Sequence, residues 1–126
     1  MHELAIAQGI VEVVRESVVV HHAARVQSVN LRIGEAHAVQ VDSLTFCFEM
    51  LTSPDPVLHG AQLNIESVPH RAHCQQCDDE FVVRNFVAQC PDCQTWSNEI
   101  VAGLEFQVFA MEFEPELAQT GRREEG

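Results

Sequence analysis

Residues 74–93 have the sequence CQQCDDEFVVRNFVAQCPDC, and this stretch decides how its part of the chain folds. It begins and ends with a CxxC motif, Cys74 to Cys77 and Cys90 to Cys93, with 12 residues between the two motifs. Each motif can direct two thiolates at one metal ion from a tight turn, and two such turns complete the tetrahedral sulfur shell that zinc accepts. The connecting segment is slightly shorter than in most zinc ribbons, but the doubled motif predicts a structural zinc ion bound by all four cysteines.

A shell of four thiolates does not by itself exclude iron, so an iron–sulfur cluster or a redox dithiol pair stays open as an alternative. The shell leaves no free position on zinc for water or substrate, which argues against a catalytic zinc and against an enzyme. Cys47, the fifth cysteine, lies on the apolar stripe of a predicted helix and is interpreted as a small core residue. His70 and His73 flank the first motif and are interpreted as solvated side chains, with ligand replacement or pH sensing as the alternative.

The composition excludes several classes of partner. The chain has 126 residues, of which 46% are hydrophobic, enough for one domain with a smaller module inserted or appended. The chain has only 7 Lys+Arg but 19 Asp+Glu, and the resulting formal charge of -12 disfavours nucleic acid and anionic membranes as binding partners. There is no apolar run of about 20 residues and no signal peptide, so we expect a cytoplasmic protein whose cysteines stay reduced.

Hydrophobic periodicity predicts two helices and three strands outside the cysteine segment. A helix is expected over residues 4–22, and a second helix should start at Asp42 or Ser43, whose side chain would cap it, and stop before Pro54. Strands are expected over residues 26–33, 61–68 and 104–113. The last strand is apolar on both faces, which favours a place in the middle of the sheet.

These elements predict an α+β fold, in which two helices pack on a small three-stranded sheet. A zinc-ribbon-like module with two CxxC knuckles is inserted between the second and third strands. We expect one domain to consist of residues 1–68 and 104–113 and the zinc-binding domain to consist of residues 69–103. Residues 114–126 are charged and are expected to form a flexible acidic tail.

The chain begins Met1-His2-Glu3, and a histidine at position two has special chemistry. The α-amino group, the His2 amide nitrogen and the His2 imidazole can close fused chelate rings around one ion. Such a square-planar set of nitrogens suits Ni(II) or Cu(II). The alternative is that His2 is simply solvated.

Several segments together resemble one family. They are Met1-His2-Glu3-Leu4 before an amphipathic helix, then Leu31-Arg32-Ile33-Gly34-Glu35, then Ser43-Leu44-Thr45-Phe46-Cys47-Phe48-Glu49, and finally the two CxxC knuckles with a closing strand. From Met1 to about Phe113 the chain resembles the hydrogenase maturation factors of the HypA/HybF family. Proteins of that family are nickel metallochaperones with a three-stranded sheet, two helices and a zinc domain.

The resemblance implies partners and roles for individual residues. His2 would be the essential nickel ligand, the backbone nitrogens of His2 and Glu3 would complete much of the plane, and the Glu3 side chain could contribute. Nickel would be passed to the large subunit of [NiFe]-hydrogenase with the help of a HypB-type GTPase. Some members also serve urease maturation, and a homodimer is one oligomeric state to expect.

The chain departs from the family pattern in two places. Some members carry an acidic residue near the nickel in the loop before the second helix, where this chain has Gln40 and then Asp42, with His37 in the same loop. Some members have a histidine after each CxxC pair, where this chain has Asp79 and Thr95. The rival interpretation is a zinc-ribbon adaptor that binds other proteins without a second metal.

Overall fold

The computed structural model describes residues 2–115. Besides a 3-10 turn at Glu35–His37, its elements in chain order are α1 (Glu3–His21), β1 (Ala23–Gly34), α2 (Val41–Thr52), β2 (Gln62–Val68), β3 (Arg71–Cys74), β4 (Asp79–Val82), β5 (Ile100–Ala102) and β6 (Phe106–Pro115). They build two three-stranded sheets, with the strand orders β2-β1-β6 and β4-β3-β5. The predicted α+β fold is confirmed, and β3 to β5 lie between β2 and β6 in the chain.

The chain divides into two compact units. The described part of the first, here called the N-terminal unit, consists of residues 2–31, 39–64 and 108–115, and the second, here called the cysteine unit, consists of Arg32–Ala38 and Ile65–Gln107. Strand β6 includes Glu114 and Pro115, which the sequence assigned to a flexible tail, and residues 116–126 of that tail lie outside the described residues. Between residues 2 and 115, no helix is long and apolar enough to cross a membrane.

Helix α1 forms because its apolar residues recur at steps of three and four and so share one face. The buried members of that face are Ala7, Ile10, Val11 and Val14. The helix ends where His22 adopts a left-handed conformation and its N–H bonds the carbonyls of Val18 and Val19. The side chains of Val19 and Val20 are about 70% exposed, so the last turn contributes little to the core.

Strand β1 is the centre of the first sheet. The side chain of Asn64 donates to that of Asn30, and the side chain of Arg32 donates to that of Glu66. These two bonds advance in the same direction along both strands, so β2 runs parallel to β1. Bonds from Gln27 to Glu114 and from Ser28 to Glu112 advance in opposite directions, so β6 is antiparallel to β1. Alternate residues of β1 form the core face, and the apolar ones among them, Val29, Leu31 and Ile33, are at most 5% exposed.

The prediction that the last strand lies in the middle of the sheet is wrong. β6 is an edge strand, because β1 lies between it and β2. Its apolar side chains are only partly covered, and Phe106 and Phe109 are 41% and 44% exposed. Apolar residues on both faces of a strand are therefore compatible with an edge position when neither face is fully buried.

Helix α2 begins at Val41, one residue before the predicted capping residues. Its N-cap residue is Gln40, whose side chain makes no capping hydrogen bond within residues 2–115. Leu44 and Phe48 are fully buried, as the predicted apolar stripe requires, and Cys47 is half-buried. The helix ends at Thr52, before Pro54, as predicted.

The turn after α2 is organised by the carboxylate of Asp55. Its Oδ1 accepts the N–H groups of Val57 (2.8 Å) and Leu58 (3.1 Å), and Arg15 donates to its Oδ2 at 3.1 Å. Burial alone would raise the pKa of Asp55, but these three donors outweigh burial and hold the pKa below its usual value. The carboxylate thus fixes the turn that places the fully buried Leu58 in the core.

Asp55→Ala is expected to lower the free energy of unfolding by about 1 kcal/mol, the usual cost of losing such a capping acceptor. Asp55→Asn keeps an acceptor oxygen and should lose less. A depressed pKa contributes stability above the unfolded carboxyl pKa, and that contribution is lost as the pH falls through the folded pKa. In urea titrations, the difference between the wild type and the Asn variant should therefore shrink below about pH 4. A difference independent of pH would contradict this account.

Two glycines of the cysteine unit let three backbone segments lie in close contact. A Cβ on Gly34 would lie 1.9 Å from the carbonyl oxygen of Gly103, and a Cβ on Gly103 would lie 2.4 Å from Cα of His70. Gly103 also has a φ of 103°, which side-chain-bearing residues rarely adopt. The N–H of Ala36 donates to the Gly103 carbonyl at 3.0 Å, so the contact is hydrogen-bonded as well as close.

Gly34→Ala is expected to destabilise the cysteine unit by about 3 kcal/mol, the upper end of overpacking costs, since backbone atoms cannot move aside. Gly9→Ala is the control, because a Cβ there meets no described atom within 4 Å and alanine favours the helix by up to about 1 kcal/mol. Thermal unfolding of both variants measures the contrast. Equal stability of the two variants would show that the close approach is relaxed at no cost.

Candidate metal centre

The four predicted cysteine ligands lie together. Among residues 2–115, the sulfur atoms of Cys74, Cys77, Cys90 and Cys93 form a group that could hold a metal ion, all within 4.8 Å of one another. The Sγ atoms of Cys74 and Cys93 are 3.5 Å apart, and those of Cys77 and Cys90 are 4.0 Å apart. Zinc–sulfur bonds of about 2.3 Å in a tetrahedron require sulfur atoms roughly 3.8 Å apart. The observed cluster therefore fits a zinc ion with four thiolate ligands.

Each CxxC motif forms the same kind of knuckle. In the first, the N–H of Asp78 bonds the Cys74 carbonyl at 2.8 Å, and Asp78 adopts a left-handed φ of 56°. In the second, the N–H of Gln94 bonds the Cys90 carbonyl at 2.8 Å, and Gln94 has a φ of 65°. The residue four positions after the first cysteine thus turns the chain back in both motifs. This repeated turn is what brings both sulfurs of a motif to one side.

The second sheet supports the knuckles. Strand β3 ends at Cys74, and it pairs antiparallel with β4 and β5. Strands β3 and β4 have four residues each, and β5 has three. The core beneath the cluster is small, and its buried residues are Ala72, Cys74, Phe81, Val83 and Cys90. Such a core is too small to hold a fold by itself, which fits a stabilising metal ion.

The thiols of the cluster differ in acidity. Hydrogen bonds from Thr95 lower the pKa of Cys93 to about 6. Hydrogen bonding with Cys93 and burial raise the pKa of Cys77 to about 12. A bound cation requires all four as thiolates, so metal binding must release protons, including the proton of Cys77.

His73 is bonded to carboxylates on both of its ring nitrogens. Nε2 lies 3.0 Å from Asp78, and Nδ1 lies 2.6 Å from Glu99. Both hydrogen bonds raise the pKa of His73, the one to Asp78 more than the one to Glu99. The ring therefore ties the first knuckle to the segment before β5, and it does not act as the solvated residue that was expected. Its carboxylate partners, particularly Glu99, give no local sequence signal, so this role was missed.

His70 also has a packing role. It is 8% exposed, and its ring meets that of Phe86 edge-on at 6.2 Å. The expectation that it is a solvated side chain is therefore wrong. In the loop before α2, His37 donates from Nε2 to the carbonyl of Leu104 at 2.9 Å. Gln40 and Asp42 are exposed.

The second predicted metal-binding group is the N-terminus. His2 is exposed and is the N-cap residue of α1, and its carbonyl accepts the N–H of Ile6 at 2.9 Å. Glu3 behaves differently, since it is only 7% exposed. Its Oε2 accepts the N–H of Gln40 at 2.9 Å. The imidazole of His2 therefore faces solvent, whereas the carboxylate of Glu3 is engaged with the backbone at the start of α2.

Comparison with known proteins agrees with this architecture. The family model described as "Hydrogenase/urease nickel incorporation, metallochaperone, hypA" matches residues 1–113. The hydrogenase maturation factor HypA of Geobacter metallireducens is 40% identical over 114 residues, which cover 90% of this chain and all of that protein. HypA of Azotobacter vinelandii is 37% identical over the same shares of both chains.

Solved structures show the same fold. The solution structure of the nickel metallochaperone HypA from Helicobacter pylori superposes with a TM-score of 0.64 at 21% identity, covering 92% of this chain and all of that one. A second HypA solution structure has a TM-score of 0.66 at 22% identity and covers 92% of this chain and 98% of that one. The family model spans nearly all of the described residues, and the relatives exceed 30% identity over their whole length. The chain therefore belongs to the HypA family of hydrogenase/urease nickel-incorporation metallochaperones.

Proposed function

We propose that this chain binds Ni(II) at its N-terminus and passes it to the large subunit precursor of [NiFe]-hydrogenase. The ligands would be the α-amino group and the His2 imidazole, together with backbone nitrogens of His2 and Glu3. One observation carries the proposal: in a chain of a nickel-incorporation family, the His2 imidazole is exposed at the first turn of a long helix. An exposed site of this kind can both take up the ion and give it to ligands of an acceptor.

The cysteine cluster would have a different task. We propose that Cys74, Cys77, Cys90 and Cys93 hold a structural zinc ion, which stabilises residues 69–103. Four thiolates saturate zinc and leave no position for a substrate, which supports a carrier and argues against a zinc enzyme. Residues 1–68 and 104–113 would form the nickel-binding domain. Membership of the nickel-incorporation family disfavours the adaptor interpretation, which has no second metal.

The partners follow from the proposed delivery. We propose that a HypB-type GTPase assists the transfer in the cytoplasm, and that urease maturation proteins are further recipients. The strongly acidic chain, with its formal charge of -12, favours partners with basic surfaces.

A transfer assay tests delivery. The chain loaded with radioactive nickel is mixed with the hydrogenase large-subunit precursor of the same organism, in the presence of the GTPase and an excess of chelator that removes free nickel. We expect the label to appear in the precursor with the unmodified chain and at less than a tenth of that level with His2→Ala, since one ligand of a small site is lost. Equal labelling of the precursor in both reactions would contradict carriage by this chain. So would labelling by the unmodified chain that appears only when the chelator is left out.

A further inference from the structure

The side chain of Glu3 is buried, in a place where an uncompensated charge would be costly. It is the one carboxylate among the buried polar residues of the described chain; the others are Ser28, Thr52 and His70. A buried carboxylate is tolerated only where hydrogen-bond donors or positive charge compensate for the lost water. A buried carboxylate next to His2 therefore indicates a specific structural role for this side chain.

The compensation includes the N-terminal end of α2. The Oε2 atom of Glu3 accepts the N–H of Gln40, 37 residues away in the chain, at 2.9 Å. Gln40 is the N-cap residue of α2, and its own side chain makes no capping bond within the described residues. The free N–H groups at a helix N-terminus carry partial positive charge, so a carboxylate is stabilised there. Glu3 thus joins the first turn of α1 to the first turn of α2.

This junction bears on the proposed nickel site. Fixing the backbone of one residue costs about 1–2 kcal/mol of conformational free energy, and a chelate built from backbone nitrogens must fix the residues that supply them. Glu3 is already fixed by its bond to Gln40, and His2 is fixed through its carbonyl by Ile6. The backbone nitrogens of His2 and Glu3 are therefore ordered before the ion arrives.

We infer that the Glu3 carboxylate is a positioning group, which holds the His2–Glu3 backbone against the start of α2, and that it is not itself a nickel ligand. The inference rests on the proposed nickel site. Its Oε2 is held by the Gln40 N–H, which limits how far the carboxylate can turn toward an ion at the exposed His2 imidazole. The positioning role instead keeps this bond in both the nickel-free and the nickel-bound protein.

The test compares Glu3→Ala with Glu3→Gln in the zinc-loaded chain with a native N-terminus. The amide oxygen of glutamine can still accept the Gln40 N–H, whereas alanine cannot. We expect Glu3→Ala to weaken nickel binding about tenfold, the loss of one residue's ordering, and Glu3→Gln to stay within about threefold of the wild type. Glu12→Ala is the control, because Glu12 is exposed on the same helix and its loss changes the charge equally.

A second measurement needs no nickel. Hydrogen exchange of the Gln40 amide in the nickel-free protein should be faster in Glu3→Ala and unchanged in Glu3→Gln, while the amides of Val14 and Phe48 stay protected in both. Equal weakening of nickel binding in the Ala and Gln variants would make the carboxylate a ligand and overturn the inference. Unchanged nickel affinity in Glu3→Ala, despite faster exchange at Gln40, would overturn it too. No nickel bound by the wild type would instead reject the proposed function, whatever the exchange shows.

Discussion

Cys90→Ser is expected to release the proposed zinc ion and to unfold the cysteine unit. The buried core of that unit is small, so it has little stability of its own. Structural zinc contributes about 10–16 kcal/mol of binding free energy in comparable small modules, which far exceeds what a few apolar contacts supply. Loss of one of four ligands, and of a buried core member at once, should therefore leave the unit unfolded.

Metal content and hydrogen exchange measure this loss. We expect about one zinc per chain in the wild type and less than a tenth of that in Cys90→Ser, with rapid exchange of the Ala72 and Phe81 amides. The amides of Val14 and Val29 in the N-terminal unit should stay protected. Cys47→Ser is the control, because Cys47 lies outside the cluster. This variant should retain zinc and keep both units folded. A Cys90→Ser protein that has lost zinc and still has protected amides throughout would show that the metal is dispensable for the fold.

His2→Ala is expected to weaken nickel binding by about a hundredfold or more. The proposed site has few ligands and one side chain among them, so removal of that imidazole opens the chelate ring that it closes. An added Gly-Ser at the N-terminus should do comparable harm, since it displaces the α-amino group from the ring and leaves His2 in place. Zinc content should be unchanged in both variants, because the cysteines lie in the other unit.

His59→Ala is the matched control for this loss. His59 is exposed in the N-terminal unit, and it bonds Arg25 through its backbone carbonyl, which the substitution keeps. Competition titrations with a colorimetric chelator measure the nickel affinities of the wild type, the two N-terminal variants and His59→Ala. Wild-type affinity in His2→Ala would remove His2 from the site, and equal losses in His2→Ala and His59→Ala would indicate non-specific histidine binding.

Local patterns explain which parts of the fold were predictable. The four-residue steps of α1 and the alternation of β1 appear in the sequence because each has one buried face. The position of β6 was not predictable in this way, because apolar residues on both faces do not reveal how well each face is covered. Strands β3 and β5 have only four and three residues, too short for a period to emerge.

The metal centre and its surroundings likewise combine features with a local sequence pattern and features that depend on distant residues. Two CxxC motifs report local turns, and the structure brings their four sulfurs together. The sequence pattern predicts Asp42 or Ser43 as the cap of α2, because a capping side chain normally belongs to a residue at the start of the helix itself. The carboxylate that serves the Gln40 N–H instead comes from Glu3, and the carboxylate of Glu99 that holds His73 is 26 residues away from it. Contacts of this range depend on the completed fold and leave no local pattern.

The most direct test of the whole account is to count metal ions on one molecule. Zinc-loaded protein with a native, untagged N-terminus is titrated with Ni(II) and weighed by native mass spectrometry. We expect one zinc and one nickel on the same chain, with zinc retained throughout. Nickel that enters only by replacing zinc one for one, or that does not bind at all, would contradict a separate N-terminal nickel site.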